Sequence, residues 1–146
     1  MSLFQNFHRV RIGGWLLAAT LVGVTAPLAA LAQTSTDATA TRSSSDRGVT
    51  VKVAPKLIGP TDKRWEFDIV LDSHSVDLSD DLMQSASLTT NDGRTLKPVS
   101  WTGAPAGGHH REGVLAFEVP APRPGTIELR IARQGESAAR TFRWQL

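Results

Sequence analysis

Residues 65–72 read Trp-Glu-Phe-Asp-Ile-Val-Leu-Asp, and this short stretch decides the fold class. Large apolar side chains stand at every second position from Trp65 to Leu71, with acidic residues at most of the positions between them. Side chains of a β-strand point alternately to its two faces, so the spacing predicts a strand with one buried and one solvated face.

The same alternation recurs on both sides of this stretch. Further strands are predicted around residues 49–53, 86–90, 96–101, 115–119, 127–131 and 142–146. The tetrapeptide Asn91-Asp92-Gly93-Arg94 predicts a hairpin turn, and Pro98 marks the strand after it as an edge or bulged strand. A short helical turn is expected around residues 79–83, with Asp77 or Ser79 available as its N-cap.

Seven short strands within residues 48–146 predict an all-β fold, specifically a single immunoglobulin-like β-sandwich domain. The inward faces of its two sheets are expected to hold Val51, Trp65, Phe67, Ile69, Leu71, Leu88, Phe117, Ile127, Leu129, Phe142 and Trp144. Each fully buried large apolar side chain contributes about 1.5–3 kcal/mol. Such a core can therefore stabilise the domain without disulfide bonds.

Residues 33–47, which precede this domain, have the composition of a linker. Eight of these 15 residues are Ser or Thr, and the only apolar side chain among them is that of alanine. Such a stretch cannot bury enough apolar surface to offset the entropy lost on ordering. It is therefore predicted to be a disordered spacer.

Residues 1–32 carry the pattern of a secretory signal peptide. The leader contains two arginines and no acidic residue, and residues 12–32 are uncharged. Ala30-Leu31-Ala32 supplies the small residues that signal peptidase accepts, so cleavage is expected before Gln33.

The leader also predicts where the protein is sent. Arg9 and Arg11 are not adjacent, which favours the general secretory route over the twin-arginine route, and the destination is then the periplasm or the cell exterior. No stable membrane span is expected to remain after cleavage. The competing interpretation is an uncleaved anchor, because 21 uncharged residues are just long enough to cross a bilayer.

Charge and cysteine content exclude several classes of function. The chain has 16 basic and 14 acidic residues, and removing the two leader arginines leaves the remainder balanced. A chain with equal numbers of basic and acidic residues lacks the excess positive charge that attracts nucleic acid, so no nucleic-acid partner is expected. The absence of cysteine excludes disulfides, thiolate metal sites and a cysteine nucleophile.

The leader, the Ser/Thr-rich spacer and the single seven-strand domain together resemble the small exported immunoglobulin-like proteins of bacteria. The resemblance covers residues 49–146 and is one of architecture. One group of these proteins is the periplasmic copper carriers, which typically use a histidine at the mature N-terminus. This chain has Gln33 at that position, so the copper site of that group does not carry over.

Histidines beside a glycine-rich loop suggest a metal site. His109 and His110 follow Gly107-Gly108, and neutral imidazole suits zinc or copper. Such a site is expected to combine His74 with His109 or His110, with carboxylate support from Asp72 and Glu112. The alternative is that these histidines are ordinary hydrogen-bonded polar residues.

Other candidate sites have weaker signals. Trp101 and Arg111 flank the same glycine-rich loop and are candidates for lining a ligand pocket. The acidic residues Asp72, Asp77, Asp80 and Asp81 lack the spacing of a calcium loop, so helix capping and surface solvation explain them better.

Enzyme motifs are missing from the sequence. It contains neither G-x-S-x-G nor H-E-x-x-H, and no phosphate-binding glycine loop precedes a predicted helix. We therefore expect a non-catalytic structural or interaction module of the cell envelope, with another envelope protein as partner. The alternatives are a periplasmic zinc- or copper-binding protein and a carbohydrate-binding or hydrolytic domain.

Overall fold

A computed structural model describes residues 37–146 of the protein. The predicted signal peptide, residues 1–32, and the start of the predicted spacer, residues 33–36, lie outside the described residues. The described chain begins with a 3₁₀ turn at Asp37–Thr39. Its strands are β1 Arg42–Asp46, β2 Val49–Leu57, β3 Arg64–Ser73, β4 Ala86–Thr90, β5 Thr95–Leu96, β6 Ser100–Gly103, β7 His110–Glu118, β8 Thr126–Ile131 and β9 Arg140–Gln145, and one helix, α1, spans Leu82–Ser85.

The nine strands form two antiparallel sheets. The first has the order β1-β2-β3-β7-β6, and the second has the order β5-β4-β8-β9. The prediction of an all-β fold is therefore confirmed. The number of strands differs from the predicted seven for two reasons: β1 was not expected, and the strand predicted around residues 96–101 is divided between the two sheets.

Pro98 lies where that predicted strand divides. The chain leaves β5 in the four-stranded sheet and enters β6 in the five-stranded sheet through residues 97–99. A proline has no backbone N–H to offer a neighbouring strand, which favours a break in the ladder at this point. Both β5 and β6 are edge strands, as the proline indicated.

The core lies between the two sheets and is built from the predicted alternating positions. All eleven residues expected to face inward are buried, and they belong to one hydrophobic cluster. Contacts between aromatic rings cross from one sheet to the other, since the ring centroids of Phe67 on β3 and Trp144 on β9 are 5.4 Å apart.

For residues 42–47, the structure corrects the prediction of a disordered spacer, which covered residues 33–47. Arg42–Asp46 forms β1, which pairs with β2 from Arg42 opposite Val53 to Asp46 opposite Val49. The two-residue turn Arg47-Gly48 joins these strands, and both residues have positive φ, 48° and 75°. Glycine at the second position and this backbone geometry are typical of the tight turns that suit twisted hairpins.

The other local predictions concern the hairpin turn and the helix. Residues 91–94 connect β4 to β5, which are paired antiparallel, so the predicted hairpin is confirmed. The helix α1 has only four residues, and its N-cap is Asp81 rather than Asp77 or Ser79, because the Asp81 carboxylate accepts a hydrogen bond from the N–H of Met83. No helix among residues 37–146 has the length and apolar character needed to cross a membrane.

Candidate functional site

The outer face of the five-stranded sheet brings together three of the predicted metal ligands. Asp72 at the end of β3 lies opposite His110 at the start of β7, and Glu112 lies two residues further along β7 on the same face. The distance between His110 Nδ1 and Asp72 Oδ1 is 2.5 Å, and that between His110 Nε2 and Glu112 Oε2 is 3.7 Å. The imidazole therefore has a carboxylate beside each of its nitrogens.

These carboxylates change the acidity of the imidazole. The hydrogen bond with Asp72, supported by the negative charges of Asp72 and Glu112, raises the pKa of His110 above its ordinary value of 6.5. All three side chains are exposed to solvent, with 44–70% of their surface accessible. The cluster is thus a solvated ion-pair site that favours the protonated imidazole.

The two remaining candidate histidines do not join this cluster in the structure. The backbone carbonyl of His109 accepts a hydrogen bond from the N–H of Ser73 at 2.8 Å, which places His109 beside the end of β3. Between residues 37 and 146, neither the imidazole of His74 nor that of His109 forms a hydrogen bond or an ion pair with Asp72, His110 or Glu112. The described residues also contain no group of three or more His, Cys, Asp or Glu side chains placed to hold a metal ion.

The glycine-rich loop before β7 is held by hydrogen bonds to the segment after β3. The N–H of Gly108 donates to the Asp77 carboxylate at 2.7 Å. Backbone hydrogen bonds of 2.9 Å also run from Gly107 N–H to the Leu78 carbonyl and from Leu78 N–H to the Gly108 carbonyl. Positive φ angles at Gly107 and Gly108 allow this path. The loop therefore has a defined conformation.

Of the two candidates for a ligand pocket, Arg111 is buried inside the fold, and Trp101 is partly buried against the core. Arg111 is only 2% exposed, and its Nη1 donates to the carbonyls of Leu78 and Asp80 at 2.9 and 2.7 Å. The Trp101 indole N–H donates to the carbonyl of Ala104, and the Arg111 guanidinium carbon lies 5.7 Å from the centroid of the Trp101 ring. Nη1 of Arg111 is thus bound by protein carbonyls, whereas its buried Nε has no hydrogen-bond partner among the described residues, and burial lowers the pKa of Arg111.

The position of Arg111 follows from its phase in the strand. Arg111 lies two residues before Gly113 and in step with Leu115 and Phe117, all on the inward face of β7. Because Arg111 lies four residues before Leu115, the alternation of a strand puts both side chains on the same inward face of the sheet.

Trp101 occupies space that two glycines leave free. A Cβ added to Gly103 would lie 2.5 Å from the Cα of Gly113, and a Cβ added to Gly113 would lie 2.7 Å from the Cζ2 atom of Trp101. Both distances are too short for real contacts. The glycines therefore permit the close approach of β6 to β7 beneath the indole ring.

Asp80 belongs to a buried chain of alternating charges that the sequence did not predict. Arg133 donates from Nε to Oδ2 of Asp80 at 2.7 Å, and Arg140 binds both carboxylate oxygens of Glu136 at 2.9 and 2.6 Å. The distance between Arg133 Nη1 and Glu136 Oε1 is 3.4 Å, so this contact links the two ion pairs. The four side chains are at most 5% exposed, so the interpretation of Asp80 as surface-solvated is wrong.

An apolar groove lies at the end of β2. Its apolar lining includes Pro55, Leu57, Ile58, Pro60, Pro124 and Leu146, and it encloses about 520 Å³. Leu57 is 45% exposed, which is a large fraction for a leucine beside other apolar side chains. We call this feature the β2 groove.

The β2 groove exists because β1 is shorter than β2. Pairing between them ends at Arg42 opposite Val53, so residues 54–57 of β2 are bonded to β3 alone. The chain before β1 turns away into the 3₁₀ turn, whose Ala38 and Thr39 form the other wall of the groove. Pro55 lies in this uncovered part of β2, where a missing N–H is tolerated.

In comparisons with known proteins, no protein-family model, no curated protein and no solved structure matches this chain.

Proposed function

We propose that this protein is an exported, non-catalytic, immunoglobulin-like β-sandwich that acts as a structural or protein-interaction module of the cell envelope. The composition of residues 1–32 supports export by the general secretory route to the periplasm or beyond. The partner is another envelope protein, bound through the β2 groove.

The observation that carries this proposal is the exposed apolar surface of the β2 groove. Clustered apolar side chains that remain accessible are more informative than isolated ones, because water contact with them is unfavourable and a partner can remove it. The groove also runs beside residues 54–57 of β2, which have a strand partner on one side only. An extended partner segment can add to such an edge while its side chains enter the groove.

A site-specific crosslinking experiment tests this proposal in living cells. A photoreactive amino acid replaces the exposed Pro60 at the groove, in the full chain with its own leader. We expect one discrete crosslinked envelope protein, and we expect Leu57→Asp to abolish the crosslink because a buried carboxylate at the interface is costly.

Val99→Asp is the matched control, since Val99 is an apolar residue that is 42% exposed and does not line the groove. This variant should leave the crosslink unchanged. A crosslink that persists in Leu57→Asp, or a photoreactive position that captures no envelope protein, would overturn the proposal.

A second candidate function is the binding of zinc or copper, and the Asp72–His110–Glu112 cluster favours it. A tetrahedral ion with bonds of about 2.0–2.1 Å needs two ligand atoms about 3.3 Å apart. His110 Nε2 and Glu112 Oε2 are 3.7 Å apart, so a small side-chain movement brings them to this separation. Asp72 would then orient the ring through Nδ1, as carboxylates do beside metal-bound histidines.

Metal titration of the full chain, followed by histidine NMR signals, tests this second candidate. Binding at the cluster predicts one equivalent of zinc or copper, lost in His110→Ala and retained in His74→Ala. Weak, independent responses of each imidazole in the millimolar range would reject it.

A further inference from the structure

The edge strand β1 contributes no side chain to the core. Its sequence is Arg-Ser-Ser-Ser-Asp, none of its residues is buried, and the hydrophobic cluster between the sheets contains no residue of β1. The valines of β2 that lie beside it face the core and pack there without its help. Burial of apolar surface therefore does little to hold β1 in place.

Besides the backbone pairing with β2, hydrogen bonds from the side chain of Arg140 hold β1. Its Nη1 donates to the carbonyls of Ser44 and Val49 at 2.8 and 2.9 Å, and its Nη2 donates to the carbonyl of Asp46 at 2.9 Å. The side chain is 3% exposed and is itself fixed by Glu136. One guanidinium on β9 of the second sheet thus binds two carbonyls of β1 and the first carbonyl of β2.

A second contact fixes the chain just before β1. The indole N–H of Trp144 on β9 donates to the carbonyl of Ala40 at 2.7 Å. The guanidinium carbon of Arg42 lies 5.8 Å from the centroid of the same indole ring. The side-chain contacts between β9 and β1 are thus polar or cationic.

We propose that β1 is a releasable edge strand, held by the Arg140 contacts, that can leave β2 while the remainder of the two sheets stays folded. Segments with few buried apolar contacts open at lower free energy than core strands, and β1 meets this condition. Release uncovers the backbone edge of β2 at residues 49–53. This edge is continuous with residues 54–57, so the exposed length of β2 grows from four residues to nine.

Residue-resolved hydrogen exchange on the full chain tests the proposal. In the wild-type protein, β1 amides bonded to β2 are expected to exchange at least tenfold faster than the central amides of β3. Arg140→Lys keeps a cation beside Glu136. Its single ammonium nitrogen cannot donate to all three carbonyls, whereas the planar guanidinium of arginine has several N–H groups in a fixed arrangement. This variant should accelerate the β1 amides by a further tenfold or more. Because loss of the Arg140 contacts raises the free energy of the native state, the β3 amides should accelerate by at most the same factor and remain the slower set.

Arg143→Lys is the matched control, because Arg143 is on the same strand but faces solvent and pairs with Glu128. It should change neither set of amides. Equal exchange rates for β1 and β3 in the wild type would overturn the proposal, since they would show that β1 opens only when the whole domain unfolds. Unchanged β1 exchange in Arg140→Lys would overturn the role of the Arg140 contacts.

Discussion

Arg133 and Asp80 form an ion pair at 2.7 Å in which both side chains are only 4% exposed. Asp80 lies in the segment between β3 and α1, and Arg133 follows β8, so the pair joins two regions distant in sequence. The second oxygen of Asp80 accepts the N–H of Gln134 at 2.9 Å. The carboxylate is thus fully engaged, as a charge removed from water must be if it is not to destabilise the fold.

Asp80→Asn should strongly destabilise the domain. The substitution leaves the Arg133 guanidinium buried with reduced compensation, and removal of one partner of a buried pair costs about 3–5 kcal/mol. Urea denaturation measures the free energy of unfolding. Asp68→Asn provides the comparison, because Asp68 forms an exposed pair with Lys56 at 3.7 Å, and such pairs contribute about 0–1 kcal/mol. Similar losses in both variants would contradict the assignment of Asp80 to a buried network.

Glu136 should make the stability of the domain fall in acid. Its hydrogen bonds with Arg140, aided by the charges of Arg140 and Arg133, lower the pKa of Glu136 below its ordinary value of 4.5. A carboxylate with a lowered folded-state pKa stabilises the fold above the unfolded-state pKa, and this contribution is lost as pH falls through the folded-state pKa. The loss therefore begins near pH 4.5 and grows below it.

Unfolding measurements between pH 7 and pH 3 can isolate this effect. The difference in stability between wild type and Glu136→Gln should shrink as the pH falls, because protonation removes the charge that the variant already lacks. In Glu118→Gln, which alters an exposed residue of β7, the acid-induced loss of stability should match that of the wild type. A difference independent of pH would refute the prediction.

His110 should titrate above pH 6.5, and Asp72 should be the main cause. In Asp72→Asn the hydrogen bond to a charged acceptor is lost, so the pKa of His110 should fall towards its ordinary value. Glu112→Gln should lower it by less, since the Glu112 contribution is the smaller one. Proton NMR titration of the imidazole signals gives these values, and an effect of Glu112→Gln larger than that of Asp72→Asn would contradict the geometry.

Gly103→Ala should destabilise the contact between β6 and β7. The added methyl group would lie 2.4 Å from the carbonyl oxygen of Glu112, which is backbone and cannot rotate away. Forced overpacking of this kind costs about 1–3 kcal/mol. Gly125→Ala is the control, because a Cβ at Gly125 meets no atom within 4 Å. Thermal unfolding of the two variants should separate them by several degrees, and equal stability would show that the strands can move apart freely.

The sequence was most informative where a side chain's phase alone determined its burial. From Trp65 to Leu71, alternation predicted both the strand and the face that each residue occupies, because the spacing of apolar residues matched the strand period. The same reasoning placed Phe142 and Trp144 in the core of the last strand. These predictions needed no knowledge of which strands are neighbours.

Features that depend on tertiary contacts could not be predicted in this way. The Ser-rich β1 has no apolar alternation, and it is ordered by pairing with β2 and by Arg140, which lies 94 residues beyond Asp46. From the sequence alone Asp80 is indistinguishable from a solvent-exposed acidic residue, because no residue near it in the sequence indicates that Arg133 is its partner. Likewise, Asp72 meets His110 only through the pairing of β3 with β7.

The division of the chain at Pro98 bears on how the protein behaves when concentrated. It leaves edge strands of two residues in β5 and four residues in β6, and β1 on the opposite side is short and serine-rich. Short or polar edges are poor templates for intermolecular cross-β growth. Each of these three edges should therefore be a poor seed for fibril growth, whereas a long apolar edge would nucleate aggregates.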